Sequence, residues 1–142
     1  MTLTTHLIIY NLVAGAWLYA TLAINPRLWL HRMPPEVRSK VKDKTLLEKR
    51  LFAIISIPFL LWLFLYPLFQ ILHPDTGFLE NFLTLAAFFA SFAAWDTLVL
   101  DLFIFASITP GFIIIPGTVR NDYTNKMYHL VSGAKGLVIS LV

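Results

Sequence analysis

The chain has 142 residues, of which 58% are hydrophobic and only 13% are charged, and it carries a net charge of +3. Because soluble domains usually carry about 25% charged residues, this composition excludes an ordinary soluble domain. The absence of cysteine excludes disulfides, thiol catalysis and thiolate metal sites. The apolar residues come in blocks long enough for a helix to cross ~30 Å of hydrocarbon. We therefore expect an all-α, polytopic transmembrane four-helix bundle that forms a single membrane domain, residues 1–142.

The first predicted span covers residues 3–24. It ends at Asn25-Pro26, because proline disfavours helical geometry in the residue that precedes it. This span contains one amide side chain, Asn11, well inside the apolar block.

A basic segment follows, in which residues 25–50 hold eight of the eleven Lys and Arg residues and three acidic residues. Pro34-Pro35 divides it, and a short surface helix over residues 36–42 is expected to lie on anionic headgroups. Because the basic residues cluster beside membrane spans, topology explains them better than nucleic-acid binding does. The loop 25–45 is therefore predicted to be cytoplasmic, with lipid and not nucleic acid as its partner.

The second predicted span covers residues 46–72. It starts at a capping box, since Thr45 occupies the N-cap position and Glu48 the third helical position. Pro58 and Pro67 lie inside this span. A membrane helix tolerates such prolines as kinks, because neighbouring groups bind the carbonyls that they free.

The third predicted span covers residues 82–108, and Pro110-Gly111 is expected to end it. A rival interpretation ends the helix near residue 100 and makes residues 102–115 a re-entrant hairpin. The fourth span, residues 127–142, is short: about 24 Å at 1.5 Å per residue, enough only for a thin bilayer. Either this helix is marginal or the chain stops as it emerges from the membrane.

The orientation follows from the basic residues. If the segments 25–50 and 109–126 face the cytoplasm, ten of the eleven Lys and Arg residues are cytoplasmic and only Lys135 lies within a span. Both termini are then expected to face outwards, in a multi-pass protein of the inner (plasma) membrane.

Two acidic residues, Asp96 and Asp101, interrupt the third span. On an insertion scale, its Leu, Ile, Phe and Val residues contribute about 4 to 8 kcal/mol in favour of the membrane. The two aspartates cost roughly 5 to 7 kcal/mol. Because these values nearly cancel, the carboxylates need protonation, a partner or water.

Depth suggests which partners they have. Counted at 1.5 Å per residue, Asp101 and Lys135 both lie ~10 Å from the cytoplasmic boundary, whereas Asp96 and Asn11 both lie ~20 Å from it. We therefore expect an Asp101–Lys135 ion pair and an Asn11–Asp96 hydrogen bond, with Asp96 as the proton-carrying group. Since residues five apart on an α-helix are separated by ~140°, a coupled carboxylate dyad is not expected.

Small residues recur every four positions on the third and fourth spans, a pattern typical of close helix packing or self-association. They are Ala86, Ala90 and Ala94, and Ser132, Gly136 and Ser140.

No cofactor is expected. Two histidine pairs, His6 with His73 and His31 with His129, could in principle ligate haem iron, but lone histidines at a membrane interface are far commoner. The sequence contains no HExxH motif, P-loop or GxSxG motif.

Four segments resemble a family of small, uncharacterised bacterial integral membrane proteins of four spans. They are "NPRLWLHRMPPEVR", "KTLLEKRLFAIISIPF", "WDTLVLD" and "TPGFIIIPGT". The resemblance implies a bacterial inner-membrane setting and no assigned activity.

Three functions fit these features. We favour a small transporter or proton-coupled carrier, in which Asp96 titrates and Asp101–Lys135 forms a gate. The alternative is a non-catalytic structural or assembly subunit of a larger membrane complex, or a homo-oligomer, that docks through the small residues. A membrane enzyme acting on lipid or quinone between residues 25–50 and 109–118 ranks last, because no nucleophile–base pair supports it.

Overall fold

The computed structural model describes residues 2–71 and 76–141, and all regular structure in these two ranges is helical. The α-helices are α1 (Leu3–Ile24), α2 (Pro35–Arg38), α3 (Leu46–Ile71), α4 (Phe78–Trp95) and α5 (Lys126–Leu141). A π-helical segment, Asp96–Ile108, directly continues α4. Short 3-10 turns cover Pro26–Arg32, Gly111–Ile113 and Arg120–Tyr123. The prediction of an all-α protein is confirmed.

Three helices in the described ranges are long and apolar enough to cross a membrane: Leu3–Ile24, Leu46–Gln70 and Phe78–Ile108. These agree with the first three predicted spans, except that the third begins earlier than residue 82. The fourth predicted span is present as α5, a helix of 16 residues. Whether α5 crosses a membrane stays a prediction.

The sequence signals at the helix ends act as predicted. The Thr45 N–H donates to Glu48 Oε2 at 2.8 Å, and the Glu48 N–H donates to Thr45 Oγ1 at 3.2 Å, so the capping box is confirmed. At the end of α1, the Arg27 N–H donates to Asn25 Oδ1 at 3.0 Å and starts the next turn.

Continuous helix from α4 to Ile108 shows that the re-entrant hairpin over residues 102–115 is wrong. The helix ends at Thr109, which has a left-handed backbone with φ 44°. The Thr109 N–H donates to the Ile104 carbonyl at 2.8 Å, a bond of the i→i+5 type that defines π-helix.

Residues 25–45 and 109–125 fold against each other at one end of the bundle, and we call them the cap. Lys40 Nζ lies 2.7 Å from Asp122 Oδ1, and Asn125 Nδ2 donates to Glu36 Oε1 at 2.9 Å. The predicted surface helix over residues 36–42 is too long, since α2 ends at Arg38. The cap and the adjoining helix ends bury a common core of Leu22, Leu30, Met33, Val37, Phe105, Ile113, Ile115 and Tyr123.

Aromatic rings fill the opposite end of the bundle, which we call the aromatic end; it comprises Tyr10, Trp62, Tyr66 and Phe88. Tyr10 packs edge-on against Phe88 at 5.1 Å between centroids, and Trp62 lies 4.5 Å from Tyr66. This packing joins α1, α3 and α4.

Pro67, inside α3, lacks the N–H that would bind the Leu63 carbonyl in a regular helix. The Tyr10 hydroxyl donates to that carbonyl at 3.1 Å. A side chain of a neighbouring helix thus replaces the missing donor, as expected for a proline within a membrane helix.

Glycine sets the closest approach of α5 to the helix that contains the two aspartates. A methyl group on Gly133 would overlap the side chain of Thr97, whereas nothing lies within 4 Å of the corresponding position at Gly136. The close contact of α5 is therefore made at Gly133, which is not one of the three small residues predicted for this helix, and not at the predicted Gly136.

Candidate functional site

A cavity of about 260 Å³ lies where the bundle meets the cap. Its polar lining consists of His31 and Arg32 from the cap, Asp96 and Asp101 from the π-helical segment, and His129 from α5. Its apolar walls include the aromatic side chains of Trp29, Phe59, Phe92 and Phe105. All charged or titratable side chains of the cavity thus come from three elements, while α1 and α3 contribute only apolar groups.

The π-helical winding places both aspartates in one cavity. In a π-helix the hydrogen bonds join residues five apart, so side chains at this spacing lie above one another. Asp96 and Asp101 have this spacing and line the same cavity. The predicted separation of ~140° is therefore wrong, because it assumed α-helical winding.

Arg32 is the partner of Asp96. Arg32 Nη2 lies 3.6 Å from Asp96 Oδ2, and the two side chains are 52% and 23% exposed. At this distance the contact is an ion pair without a hydrogen bond. Since Arg32 is half exposed, it stands at the mouth of the cavity and the carboxylate lies further in.

His129 is the partner of Asp101, with 3.6 Å between His129 Nδ1 and Asp101 Oδ1. The His129 side chain is only 2% exposed, and its Nε2 faces the Tyr123 carbonyl at 3.4 Å. Because a carbonyl only accepts hydrogen bonds, this contact assigns the hydrogen to Nε2. Nδ1 then faces the carboxylate without a hydrogen of its own when the imidazole is neutral.

With this tautomer a neutral imidazole and an ionised carboxylate face each other acceptor to acceptor, and a proton on either group removes that repulsion. The protonated pair is either an imidazolium with a carboxylate or a neutral imidazole with a carboxylic acid. In both forms Asp101 and His129 together carry no net charge. Loss of this proton leaves one negative charge in the cavity.

His31, in the cap, completes the polar lining as a neutral side chain. Lys44 Nζ donates to His31 Nδ1 at 3.4 Å, so the remaining hydrogen of the neutral ring lies on Nε2. Burial lowers the pKa of His31, and the positive charges of Lys44, Arg32 and Arg38 lower it further. All these causes favour the uncharged ring.

The partners predicted for the two aspartates are corrected by the structure. Asn11 donates to the Leu7 carbonyl at 2.8 Å and to Ser91 Oγ at 3.0 Å, and it does not line the cavity. The predicted depth of Asp96 assumes the rise of an α-helix, 1.5 Å per residue. The wider turns of a π-helix rise less per residue. Asp96 therefore lies nearer the cap than Asn11 does.

Lys135 is exposed on the surface of α5, among Val131, Val138 and other apolar residues, and is not paired with Asp101. Equal depth does not place two side chains on facing sides of their helices. At 100° per residue, Lys135 lies about 200° around α5 from Gly133, which faces the helix of the aspartates.

Arg32 and His129 are the site residues that the sequence did not assign to the aspartates. His129 stood out only as a histidine near the start of the fourth span. Arg32 was one of many basic residues in a loop, and no local signal shows that this loop folds back beneath the bundle.

Of the two histidine pairs considered for haem, only His31 with His129 lies wholly within the described residues. His6 Nδ1 forms a hydrogen bond of 3.0 Å with the Tyr66 hydroxyl, and His73 lies outside the described residues. His31 and His129 both line the cavity. Within residues 2–71 and 76–141, no group of three or more His, Asp or Glu side chains is arranged to hold a metal ion.

The chain matches no protein-family model, and comparisons with curated proteins and with solved structures give no match either.

Proposed function

We propose that this chain is a small proton-coupled carrier of the bacterial inner (plasma) membrane, with a polar cavity that binds a ligand and a proton. One observation carries the proposal: Asp101 and the buried His129 face each other at 3.6 Å, close enough to share a proton, inside a cavity of about 260 Å³. A proton held beside an accessible cavity is what a coupled carrier needs.

The membrane setting is supported by the three apolar helices of sufficient length. In the most apolar stretch of α3, only 11% of the residues are buried inside the protein, so most of that surface is available to lipid. Both long loops meet in the cap through Lys40 and Asp122, so they lie on one side of the membrane. This agrees with a topology of four spans, with the basic cap in the cytoplasm and both termini outside.

The cavity is placed suitably for proton exchange with the cytoplasm. Arg32 stands at its mouth and belongs to the cap, whereas the pair of Asp101 and His129 lies deeper. In this proposal Asp101 and His129 carry the transported proton, whereas the sequence alone pointed to Asp96 as the proton-carrying group.

Proton flux into proteoliposomes tests the proposal. With a pH-sensitive dye inside and an imposed pH gradient, we expect Asp101→Asn to lower the protein-dependent flux at least about tenfold. Asp43→Asn is the matched control, because Asp43 is an exposed acid of the cap outside the cavity and should leave the flux unchanged. Equal flux from the wild type and Asp101→Asn, with both proteins folded, would contradict the proposal.

A second candidate function, an assembly subunit of a larger membrane complex, is favoured by Lys135. This lysine is exposed on an apolar helix surface at the level of the bundle. An ammonium group facing hydrocarbon is costly, and a membrane partner with an acidic group would offset that cost. Under this alternative, Lys135→Leu abolishes co-purification of the partner, while Asp101→Asn leaves it intact.

A further inference from the structure

We infer that the cavity binds a small organic ammonium group in exchange for one proton. The ligand is a primary amine in its cationic form, either a free molecule or the ethanolamine headgroup of a lipid. This inference rests on the proposed function, because it names the ligand class of the same cavity.

The first argument is the charge of the cavity. Arg32 offsets Asp96, and Asp101 with His129 is neutral as long as the pair keeps its proton. When this proton leaves, one negative charge remains beside aromatic walls. A monovalent cation restores neutrality, whereas an anion would add a second uncompensated negative charge in a poorly hydrated space.

The second argument is the unused hydrogen-bonding capacity of the two carboxylates. In the part of the chain that the structure describes, neither Asp96 nor Asp101 accepts a hydrogen bond, and their closest basic atoms lie at 3.6 Å. Both side chains keep about a fifth of their surface exposed. An ammonium group has three donors and no acceptor, so it matches two ionised carboxylates, which only accept hydrogen bonds.

The third argument is the aromatic lining. Trp29, Phe59, Phe92 and Phe105 line the same cavity as the carboxylates. Aromatic faces attract organic cations, and the effect is larger when the cation is removed from water. The rings also cover the carbon part of such a ligand, which a bare metal ion lacks.

The remaining basic groups do not favour an anionic ligand instead. The charge of Arg32 is directed at Asp96, and His31 is kept neutral beside Lys44. Apart from Arg32, His31, Asp96 and the pair of Asp101 and His129, no charged or titratable side chain among the described residues lines the cavity.

The exchange balances in atoms and charge. The free cavity holds the Asp101 carboxylate with a protonated His129, and the ammonium ligand arrives with its own charge. His129 releases the Nδ1 proton to solvent, keeps its Nε2–H towards the Tyr123 carbonyl, and the ligand N–H groups donate to Asp101. One cation enters and one proton leaves, so protons compete with the ligand and the net charge of the cavity does not change.

Equilibrium binding of 2-phenylethylammonium to the full chain in phosphatidylglycerol nanodiscs tests the inference. Calorimetry in two buffers of different ionisation enthalpy should give release of about one proton per bound ligand. We expect Asp101→Asn to weaken binding at least about tenfold and to abolish proton release. Asp43→Asn should bind as the wild type does, and His129→Gln should bind the probe without releasing a proton.

Two further probes test the ammonium group itself. 2-Phenylethanol has the same ring without the charge, and 3-phenylpropionate has the opposite charge; neither should bind measurably. Binding of either with the affinity of the amine would overturn the inference, as would absence of amine binding to a folded wild type.

Nanodiscs that contain phosphatidylethanolamine distinguish the two sources of the ammonium group. If the lipid headgroup occupies the cavity, the apparent Kd of the probe should rise with the fraction of this lipid, and Asp101→Asn should remove the competition. If the ligand is a free amine, the Kd should not change.

The binding experiment and the flux experiment can each fail without the other, so they test the ligand class and the carrier separately. Amine binding with proton release but without flux in proteoliposomes would retain the ligand class and reject the carrier. Proton flux that persists in a protein without amine binding would retain the carrier and reject this ligand.

Discussion

The polar groups at the two ends of the bundle differ in how closely they approach their partners. At the aromatic end, the Tyr10 hydroxyl bonds to the Leu63 carbonyl at 3.1 Å and His6 bonds to the Tyr66 hydroxyl at 3.0 Å. At the cap, Asp96 and Asp101 face their basic partners at 3.6 Å, too far for a hydrogen bond.

The two ends also differ in packing: side chains are in contact at one end, and a cavity lies at the other. Ring contacts and hydrogen bonds join α1, α3 and α4 at the aromatic end. The cavity end keeps about 260 Å³ of space beside two carboxylates. The two carboxylates therefore lie beside open space and are not enclosed by packed side chains, as expected for groups that bind a ligand.

The largest expected effect is at Gly133, where α5 touches Thr97. Gly133→Ala adds a methyl group that overlaps the Thr97 side chain, so α5 must move and carry His129 with it. We expect a loss of about 1 to 3 kcal/mol in the free energy of unfolding, measured by chemical denaturation in detergent. Gly136→Ala is the control, since its methyl group meets nothing and improves helix propensity. Equal stability of the two variants would contradict this contact.

The next effect concerns the aromatic end. Tyr10→Phe removes the donor to the Leu63 carbonyl that Pro67 leaves unpaired, so we expect a loss of about 1 to 2 kcal/mol. In Tyr10→Phe combined with Pro67→Ala, the backbone N–H of residue 67 can replace the hydroxyl. The double variant should therefore be more stable than Tyr10→Phe alone. A double-mutant cycle without coupling would show that the Tyr10 hydroxyl does not compensate for the N–H that Pro67 lacks.

A smaller effect, dependent on pH, is expected within the cap at Asp122. Lys40 donates to its carboxylate, and so does the Val119 N–H, and both hold the pKa of Asp122 below its usual 3.8. Because the folded pKa is lowered, this contribution to stability is complete above the unfolded value. It is lost as the pH falls from about 4 through the folded pKa.

The amide resonance of Val119 in an NMR titration reports this pKa. Lys40→Gln should shift the midpoint upwards towards 3.8, whereas Lys42→Gln, at an exposed lysine of the same segment, should not. The same midpoint in the wild type and in Lys40→Gln would exclude the ion pair as the cause.

The smallest effect is expected at Lys135, outside both ends. Because Lys135 is exposed and does not pair with Asp101, Lys135→Gln should change the free energy of unfolding by less than about 0.5 kcal/mol. Binding of the amine should also stay unchanged. A larger loss in the isolated protein would favour an ion pair between Lys135 and Asp101.

The helices themselves were predictable because local chemistry sets their ends. Asn25-Pro26 ends α1, and Thr45 with Glu48 starts α3 in the expected geometry. The composition and the apolar blocks then suffice for an all-α protein with spans of membrane length. These features depend on neighbouring residues, which a sequence displays directly.

Of the site, the sequence predicts the two acidic residues but not their partners. Asp96 and Asp101 stood out because carboxylates are costly in an apolar block, but their partners depend on how each helix is rotated. The change from α- to π-winding after Trp95 has no local signal in the sequence, and it alters both the direction and the depth of every later side chain. The placement of Arg32 depends in turn on contacts between distant loops, such as Lys40 with Asp122.

The wide winding after Trp95 also bears on how this stretch tolerates changes in length. Removing one residue between Asp96 and Asp101 would leave them four apart, the spacing at which an ordinary α-helix brings side chains together. The same deletion would rotate everything that follows, including Phe105 and the strained Thr109, relative to the cap. Insertions and deletions here, more than substitutions, should therefore decide whether the two acids still meet at a folded end of the protein.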